Sequence, residues 1–337
     1  MPSIYRLLKL NRLVRSNRLK LLLIFMAQLL NRRYYSVRID PVFACNLRCR
    51  MCYFSRSRKP NPEKFSPDEL ATIAGKLFGN ALQVVVGCGA EPTMYAHFVD
   101  IVKKASEYSV PHISLVTNGQ LLTRDHLNEL AESGLNELVV SVHGASQQTY
   151  EHLMVGASWE KLHKLLNSVN EMRAVNRYPS FTLRVNYTVN PLNLHELETF
   201  FDAFGQYQIN TLQIRPVMNI GGEYEDGFSQ SDIHTYSKII DKVRNYCRER
   251  GITLLANTDD PTYQRSSKVS WVLNETYKYV SPVMVVSSDF KWKEETLSAY
   301  LRRTGWYATM LKRIFWFQRA EKIDDLAQKY SARYDLF

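Results

Sequence analysis

Cys45-Asn46-Leu47-Arg48-Cys49-Arg50-Met51-Cys52 places three of the chain's five cysteines within eight residues. The run from Ser36 to Ala44 leads straight into this stretch and has the composition of a strand. Three thiolates on one loop can hold a soft metal centre. A closed zinc site takes four protein ligands, whereas an iron–sulfur cubane held by three cysteines leaves one iron open to a small molecule. The alternatives are a zinc loop completed by a distant histidine and three buried thiols.

Composition favours a globular protein in a reducing compartment. The 337 residues are 45% apolar, which suits one α/β barrel with extensions. Five cysteines, three of them clustered, argue against a disulfide scaffold. The net charge is +10, and nine basic residues precede the first acidic residue, Asp40. We therefore expect a cytoplasmic protein with a neutral body and a basic N-terminal segment.

That segment, residues 1–35, combines leucines and arginines at roughly helical spacing and includes the apolar run Leu21–Leu30. The run is too short to cross a bilayer, which takes about 20 residues, and no small-residue cleavage site follows it. Basic amphipathic helices of this kind can lie on an anionic membrane, which would make the protein peripheral on the inner face of the membrane. They can equally pack against the protein's own body. Nucleic acid is an unlikely partner, since no recognised binding module accompanies the basic residues.

From Ser36 the chain alternates strand-like and helix-like segments. The predicted strands are 36–44, 82–86, 112–116, 137–142, 181–189 and 211–215, and the predicted helices are 67–78, 94–108, 123–133, 159–175 and 193–204. Apolar strands that alternate with helices indicate a parallel sheet with helices outside. The predicted fold class is therefore α/β, a partial (β/α)6 barrel over residues 36–220. Residues 1–35 precede it as basic amphipathic helices, and an α-rich extension follows over residues 221–337.

Unusual residues come directly after the predicted strands, at the rim where such a barrel keeps its active site. Gly87-Cys88-Gly89-Ala90-Glu91-Pro92 follows the second strand, and Thr117-Asn118-Gly119 follows the third. Ser141-Val142-His143-Gly144 ends the fourth strand. Arg184 and Asn186 share one face of the fifth strand by its period of two. Glycines at such points let the backbone approach a ligand closely.

The cysteine loop resembles the cluster-binding loop of the radical S-adenosylmethionine (SAM) superfamily, and the resemblance extends over about residues 36–220. Gly89-Ala90-Glu91-Pro92 resembles the family's Gly-Gly-Glu-Pro motif, and the segment 141–144 resembles an S-x-D-G pattern with His143 in place of aspartate. The resemblance implies that Cys45, Cys49 and Cys52 bind a four-iron (4Fe–4S) cluster whose open iron is chelated by SAM. One electron then cleaves SAM to methionine and a 5′-deoxyadenosyl radical, which removes hydrogen from a substrate.

The same resemblance assigns a set of residues to SAM. The predicted SAM-binding residues are Gly87, Gly89, Ala90, Glu91, Asn118, Ser141, His143, Arg184, Asn186 and Tyr53. Met51 stands where the family commonly has an aromatic residue. Cys88 is a candidate catalytic residue, because a weak S–H bond at the rim can donate a hydrogen atom to a product radical. A lone cysteine is more often a small buried hydrophobe.

The C-terminal extension carries no cysteine beyond Cys247 and no D-x-H-x-x-G cobalamin signature. The chain is therefore identified as a single-cluster member of the superfamily. Aromatic and basic residues alternate near 300–319, which favours a membrane interface, a lid on the barrel or a subunit contact.

The predicted function is a radical SAM enzyme that acts on a lipid or lipid-linked molecule at the membrane surface. The alternatives are a cytosolic enzyme that modifies a peptide or small metabolite, and a non-catalytic zinc or iron–sulfur interaction protein. The resemblance also implies an electron donor such as flavodoxin or ferredoxin.

Overall fold

The strands form one sheet in the computed structural model, which describes residues 5, 13–14, 16–52, 54, 61–175, 177–217, 227–257, 271–316 and 335–336. The strands are β1 (Tyr35–Ile39), β2 (Ala81–Val86), β3 (His112–Thr117), β4 (Glu137–Ser141), β5 (Thr182–Val189), β6 (Thr211–Pro216), β7 (Thr253–Ala256), β8 (Tyr277–Ser281), β9 (Met284–Val285) and β10 (Asp335–Leu336). Their order across the sheet is β10-β7-β6-β5-β4-β3-β2-β1-β8-β9. Strand pairs are parallel except β7–β10 and β8–β9, which are antiparallel. Within the described residues the two edges do not pair with each other, so the sheet is an open, partial barrel.

Helices connect these strands. They are α1 (Asn17–Leu29), α2 (Pro67–Leu77), α3 (Phe98–Glu107), α4 (Arg124–Glu132), α5 (Gln147–Leu153), α6 (Trp159–Ala174), α7 (Phe200–Phe204), α8 (Gln230–Glu249), α9 (Trp271–Thr276), α10 (Leu297–Arg303) and α11 (Trp306–Phe315). The start of α2 follows from its sequence, because Ser66 and Glu69 form a capping box around Pro67. The helix predicted from Met94 begins only at Phe98, since a 3-10 turn occupies Pro92–Met94.

Each central strand has an apolar outer face and a largely polar inner face. The outward positions, such as Val37 on β1 and Leu115 on β3, belong to one hydrophobic core. By the period of two, the alternate positions point into the barrel. These inner positions include Ser36 and Arg38 on β1, Gln83 on β2, Ser114 on β3, Glu137 on β4, Arg184 and Asn186 on β5, and Gln213 on β6. A polar interior of this kind suits a polar ligand better than an apolar one.

A charged cluster closes the floor of the barrel, at the N-terminal ends of the strands. Glu137 accepts a hydrogen bond from the Tyr5 hydroxyl at 2.5 Å and pairs with Arg184 at 2.9 Å. His112 Nε2 lies 3.6 Å from the same carboxylate. Burial by itself would raise the pKa of Glu137, but the Arg184 guanidinium and the other two partners override it and lower the pKa to about 2. Tyr5, from the N-terminal segment, thus lies at the barrel floor.

Described parts of the C-terminal extension, which was predicted to be α-rich, add strands to the sheet. The first of these strands, β7, pairs with β6. The strand β8 pairs in parallel with β1, with Ser36 opposite Tyr277. β1 therefore lies between β2 and β8 rather than at an edge. The predicted domain boundary near 220 lies outside the described residues.

The helix predicted over 193–204 is broken into a 3-10 turn (His195–Leu197) and the short α7. Asn193 explains the break, because its side chain accepts from Asn190 N at 2.8 Å and donates to His143 O at 3.0 Å. Glu196 accepts a backbone N–H of the loop after β4 at 2.6 Å. These polar side chains tie the loops after β4 and β5 together instead of continuing one helix.

The N-terminal helix α1 packs on the C-terminal helices. Phe25 of α1 stacks on Trp306 of α11, with ring centroids 6.1 Å apart. Glu275 at the end of α9 holds α11 in place, since it accepts from Trp306 Nε1 at 2.6 Å and from Arg313 at 2.8 Å. No helix in the described part of the chain is both long and apolar enough to cross a membrane.

Candidate active site

A cavity of about 210 Å³ lies at the C-terminal ends of the parallel strands. It is lined by Cys45, Cys49, Met51 and Cys52 after β1, by Cys88, Gly89, Ala90 and Glu91 after β2, by Asn118 after β3, by Ser141 and His143 at the end of β4, by Thr188 on β5 and by Arg215 on β6. The parallel order of the strands brings these distant residues to one rim. The predicted cluster ligands and most of the predicted SAM-binding residues therefore meet in one place.

The three thiols of the loop after β1 are half-buried. Arg48 and Arg50 fix the loop, because each donates its backbone N–H to a carbonyl of the segment 153–155, at 2.8 and 2.9 Å. Cys45 Sγ accepts from Leu47 N at 3.4 Å. In the described ranges, no three His, Cys, Asp or Glu side chains come together at the spacing of a single metal ion. The three thiols line one cavity instead.

The chemistry of this donor set fits the cluster that the resemblance implies. Cys45 Sγ is approached by Leu47 N and, at 3.9 Å, by Asn118 Nδ2. Hydrogen bonds from N–H groups to cysteine sulfur stabilise a cluster-bound thiolate and tune the potential of an iron–sulfur centre. Asn118 is itself held by Asn46 Oδ1, which accepts from its Nδ2 at 2.8 Å. The loop after β3 thus supports the loop after β1.

Asp40, directly after β1, shapes the loop after β2. Its carboxylate accepts from Cys88 N at 2.6 Å and from Gly89 N at 3.0 Å, and the Tyr279 hydroxyl donates to it at 2.8 Å. Because both N–H groups are engaged, this loop can offer a ligand mainly carbonyl oxygens, which suit an ammonium group. Asp40 was not among the predicted site residues. Its position as an acidic residue within the predicted strand 36–44 was the available signal.

Glu91 connects the loops after β2 and β3. It accepts from the Thr117 hydroxyl at 2.7 Å and from Asn118 N at 2.8 Å. Burial raises the pKa of Glu91, and the hydrogen bonds that it accepts act in the opposite direction. Gly87, also predicted to bind SAM, does not line the cavity. Its φ is +89°, and a Cβ there would lie 2.3 Å from Val116 O, so glycine is required by the backbone.

His143 presents a neutral ring to the cavity. Thr188 N donates to His143 Nδ1 at 3.1 Å, which places the proton of the neutral ring on Nε2. Burial, helped by the positive charge of Arg215, lowers the pKa of His143 to about 4. At neutral pH the ring therefore has an N–H donor next to a guanidinium. Together they suit an anionic group or another hydrogen-bond acceptor.

Arg184 and Asn186 do not line the cavity, and their contact with SAM stays a prediction. Arg184 is near the start of β5 and pairs with Glu137 at the barrel floor. Asn186 lies opposite Ser141 in the sheet and is buried, and its Oδ1 has no hydrogen-bond partner among the described residues. Arg215 supplies the positive charge that the prediction gave to Arg184. The position of Arg215 on the inner face could be predicted from the period of two on β6, because Arg215 comes two residues after Gln213.

Cys88 lines the cavity, and its Sγ is 3.6 Å from the Tyr277 hydroxyl. Its catalytic role stays a prediction. Met51 also lines the cavity, where Asn190 Nδ2 lies 3.8 Å from its sulfur. Tyr53, the last predicted SAM-binding residue, lies outside the described residues.

Residues 39–203 match the family described as the Radical SAM superfamily. Among curated proteins, the probable GTP 3′,8-cyclase of Sulfolobus acidocaldarius is 25% identical over 197 residues, which are 57% of this chain and 60% of that protein. The probable GTP 3′,8-cyclase of Thermoplasma volcanium is 28% identical over 149 residues, which are 43% of this chain and 44% of that protein. The matched region thus spans at most 60% of the length of these two relatives.

Two solved structures have a similar fold. SuiB of Streptococcus suis bound to S-adenosylmethionine superposes with a TM-score of 0.59 at 16% identity, covering 80% of this chain and 64% of that chain. The protein anSMEcpe with bound AdoMet superposes with a TM-score of 0.52 at 16% identity, covering 65% of this chain and 63% of that chain. Both agree with the open parallel sheet described above.

Proposed function

Since the chain belongs to the radical SAM superfamily, with its domain at residues 39–203, we propose that it removes a hydrogen atom from a lipid or lipid-linked substrate. Its cofactors are a 4Fe–4S cluster and SAM. When bound, the cluster supplies the electron that cleaves SAM to methionine and the 5′-deoxyadenosyl radical. The observation that supports the radical reaction is the meeting of Cys45, Cys49 and Cys52 with the loops after β2, β3 and β4 in one cavity.

In this proposal the three cysteines hold the cluster, and the neighbouring loops hold SAM. The loop Gly89–Glu91 receives the amino group of SAM, because Asp40 engages the N–H groups at its start and leaves acceptors for the ligand. Ser141, His143 and Arg215 receive the carboxylate or the ribose. The hydroxyl, the neutral imidazole and the guanidinium can all donate hydrogen bonds to these oxygen-rich groups.

The polar interior below the cavity favours a substrate with a polar head. Ser114 Oγ and Asn186 Oδ1 are buried side-chain atoms with no hydrogen-bond partner among the described residues. Buried polar atoms of this kind are costly unless a ligand or water satisfies them. A lipid-linked molecule would place its head group there and leave its chain outside. A nucleotide is the second candidate, because a phosphate suits Arg215 and because the relatives above are named probable GTP 3′,8-cyclases.

Cys88 is proposed to donate a hydrogen atom to the product radical. An S–H bond breaks, a C–H bond forms on the product, and a thiyl radical remains on Cys88. One electron and one proton then restore the thiol, and an electron donor of the flavodoxin or ferredoxin class supplies the electron. The Tyr277 hydroxyl, 3.6 Å from the sulfur, is placed to exchange a hydrogen with it.

The test is anaerobic reconstitution with iron and sulfide, followed by dithionite reduction with SAM. We expect a brown protein that releases 5′-deoxyadenosine, and we expect Cys49→Ala to lose both colour and product. Cys247→Ala is the matched control, because Cys247 is buried in the core with α8 and does not line the cavity. Cys88→Ser should keep the colour and the 5′-deoxyadenosine. Product that persists in Cys49→Ala, or a colourless zinc protein, would overturn the proposal.

A further inference from the structure

The outer face of α1 is exposed and wholly apolar. Its six large residues are 37 to 62% exposed: Leu19, Leu22, Leu23, Met26, Leu29 and Leu30. Steps of one or three residues place all six on one side of the helix. The opposite side holds Leu21 and Ile24, which are buried, and Phe25, which stacks on Trp306. Both sides of α1 thus carry apolar residues, but only one side is buried.

The helix α11 lies against α1 and has an exposed apolar side of its own. Leu311 and Phe315, with the adjoining Trp316, are 39, 64 and 66% exposed. The two helices and their ends hold nine of the seventeen exposed large apolar residues in the described chain. Exposed apolar residues scattered singly are ordinary, whereas a concentration on adjacent helices marks an interaction surface. We call these nine residues the α1/α11 surface.

The helices that carry and adjoin this surface have charges of one sign. The sequences of α1, α10 and α11 contain no aspartate or glutamate. Arg18 and Lys20 lie on α1, Arg32 follows it, and Lys312 is exposed on α11. The nearest acidic group of α9, Glu275, is buried and paired with Arg313. The apolar residues are therefore bordered by basic residues without neighbouring acids on the same helices.

We propose that the α1/α11 surface docks the protein on an anionic lipid bilayer. Leucines with exposed phenylalanine and tryptophan are suited to the boundary between head groups and acyl chains, and basic residues around them attract anionic lipids. A second copy of this chain is a poorer occupant, because a symmetric contact would bring two basic borders together. The docking is inferred from the surface alone and does not depend on the reaction.

The test is flotation of the reconstituted full-length protein with vesicles of phosphatidylcholine, alone or mixed with phosphatidylserine, at low and high salt. Two substitutions on the outer face, Leu23→Gln and Met26→Gln, keep good helix formers and remove apolar area. Val175→Gln is the matched control, because Val175 is 74% exposed and lies at the end of α6, outside the surface. Arg18→Gln with Lys20→Gln tests the charge contribution. Release of 5′-deoxyadenosine without vesicles is measured for each protein.

We expect the native protein and Val175→Gln to float with the phosphatidylserine vesicles at low salt. We expect the outer-face double variant to bind at least about tenfold more weakly, and the charge variant to lose its preference for phosphatidylserine. All variants should release 5′-deoxyadenosine equally in solution, so a failure of docking is separable from a failure of the reaction. The proposal is overturned if the native protein does not float, or if the outer-face variant floats as well as the native protein. It is also overturned if light scattering shows a dimer that the outer-face substitutions dissociate, which would make a second copy the occupant.

Discussion

Asp40→Asn should loosen the loop after β2 and weaken SAM binding, although Asp40 itself is not in the lining of the cavity. The carboxylate accepts from Cys88 N, Gly89 N and the Tyr279 hydroxyl. Asparagine keeps one acceptor oxygen and replaces the other with a donor, so the bond from Gly89 N to Oδ2 is lost, the Tyr279 hydroxyl must accept instead of donate, and the remaining bonds no longer involve a charge. A hydrogen bond to a charged group is worth about 1.5–3 kcal/mol, and partial relaxation reduces the sum. We expect a loss of about 2–4 kcal/mol in stability.

The assay combines thermal unfolding with equilibrium SAM binding to the reconstituted protein. For a chain of this size, about 1 kcal/mol corresponds to roughly 2 °C in Tm, so Tm should fall by several degrees. Tyr279→Phe is the matched control, since it removes one of the two bonds and should cost about half as much. Each 1.4 kcal/mol that is lost from the free energy of SAM binding raises the Kd for SAM about tenfold. An unchanged Tm together with an unchanged Kd for SAM in Asp40→Asn would refute the reasoning.

Three further predictions concern the barrel floor, the cavity and the C-terminal helices. The depressed pKa of Glu137, about 2, means that the contribution of Glu137 to stability is full above about pH 4.5 and falls as the pH drops towards 2. Glu137→Gln should flatten this dependence in acid unfolding and cost about 3 kcal/mol at pH 7 by removing the charge that pairs with Arg184. The pKa of His143, about 4, means that its contribution to stability is full above about pH 6.5 and is lost as the pH falls through 4. His143→Phe should remove that slope and weaken SAM binding about tenfold, measured by titration, through loss of the ring N–H donor. Glu275→Gln should lower the free energy of unfolding by about 2–3 kcal/mol, because it removes the charge that pairs with Arg313. Hydrogen exchange should then show earlier opening of α11. An unchanged exchange rate there would contradict this role.

Much of the barrel could be predicted because its signals are local. Five of the six predicted strands occur within one residue of both predicted ends, whereas the first, predicted over 36–44, ends at Ile39. Ser66 with Pro67 marks the start of α2 correctly. Local signals also identify the loops that meet in the cavity. The three cysteines, Cys88–Glu91, Asn118, Ser141 and His143 all line it, because they directly follow parallel strands.

The remaining features depend on pairings between distant residues. Arg184 and Arg215 look alike in sequence, since each occupies an inner position on a strand. Their roles differ because Glu137 begins the neighbouring strand β4 and engages Arg184 at the floor, while Arg215 lies near the end of β6, at the cavity. The hydrogen bonds of Asp40 are likewise completed by a distant residue, Tyr279 of β8. No local pattern shows that β8 will join β1.

The pairing of β8 with β1 also sets an order of events during synthesis. Tyr277 leaves the ribosome about 240 residues after Ser36, its partner in the sheet. At roughly 5–20 residues per second, this interval lasts about 10–50 s, and contacts of such long sequence separation also form slowly. Until then Asp40 lacks Tyr279, and Cys88 lacks Tyr277. We expect iron and sulfide to enter most readily in this interval, so apo-protein refolded in their presence should load faster than apo-protein that is already folded. The last parallel strand to be made completes the wall beside the cysteine loop.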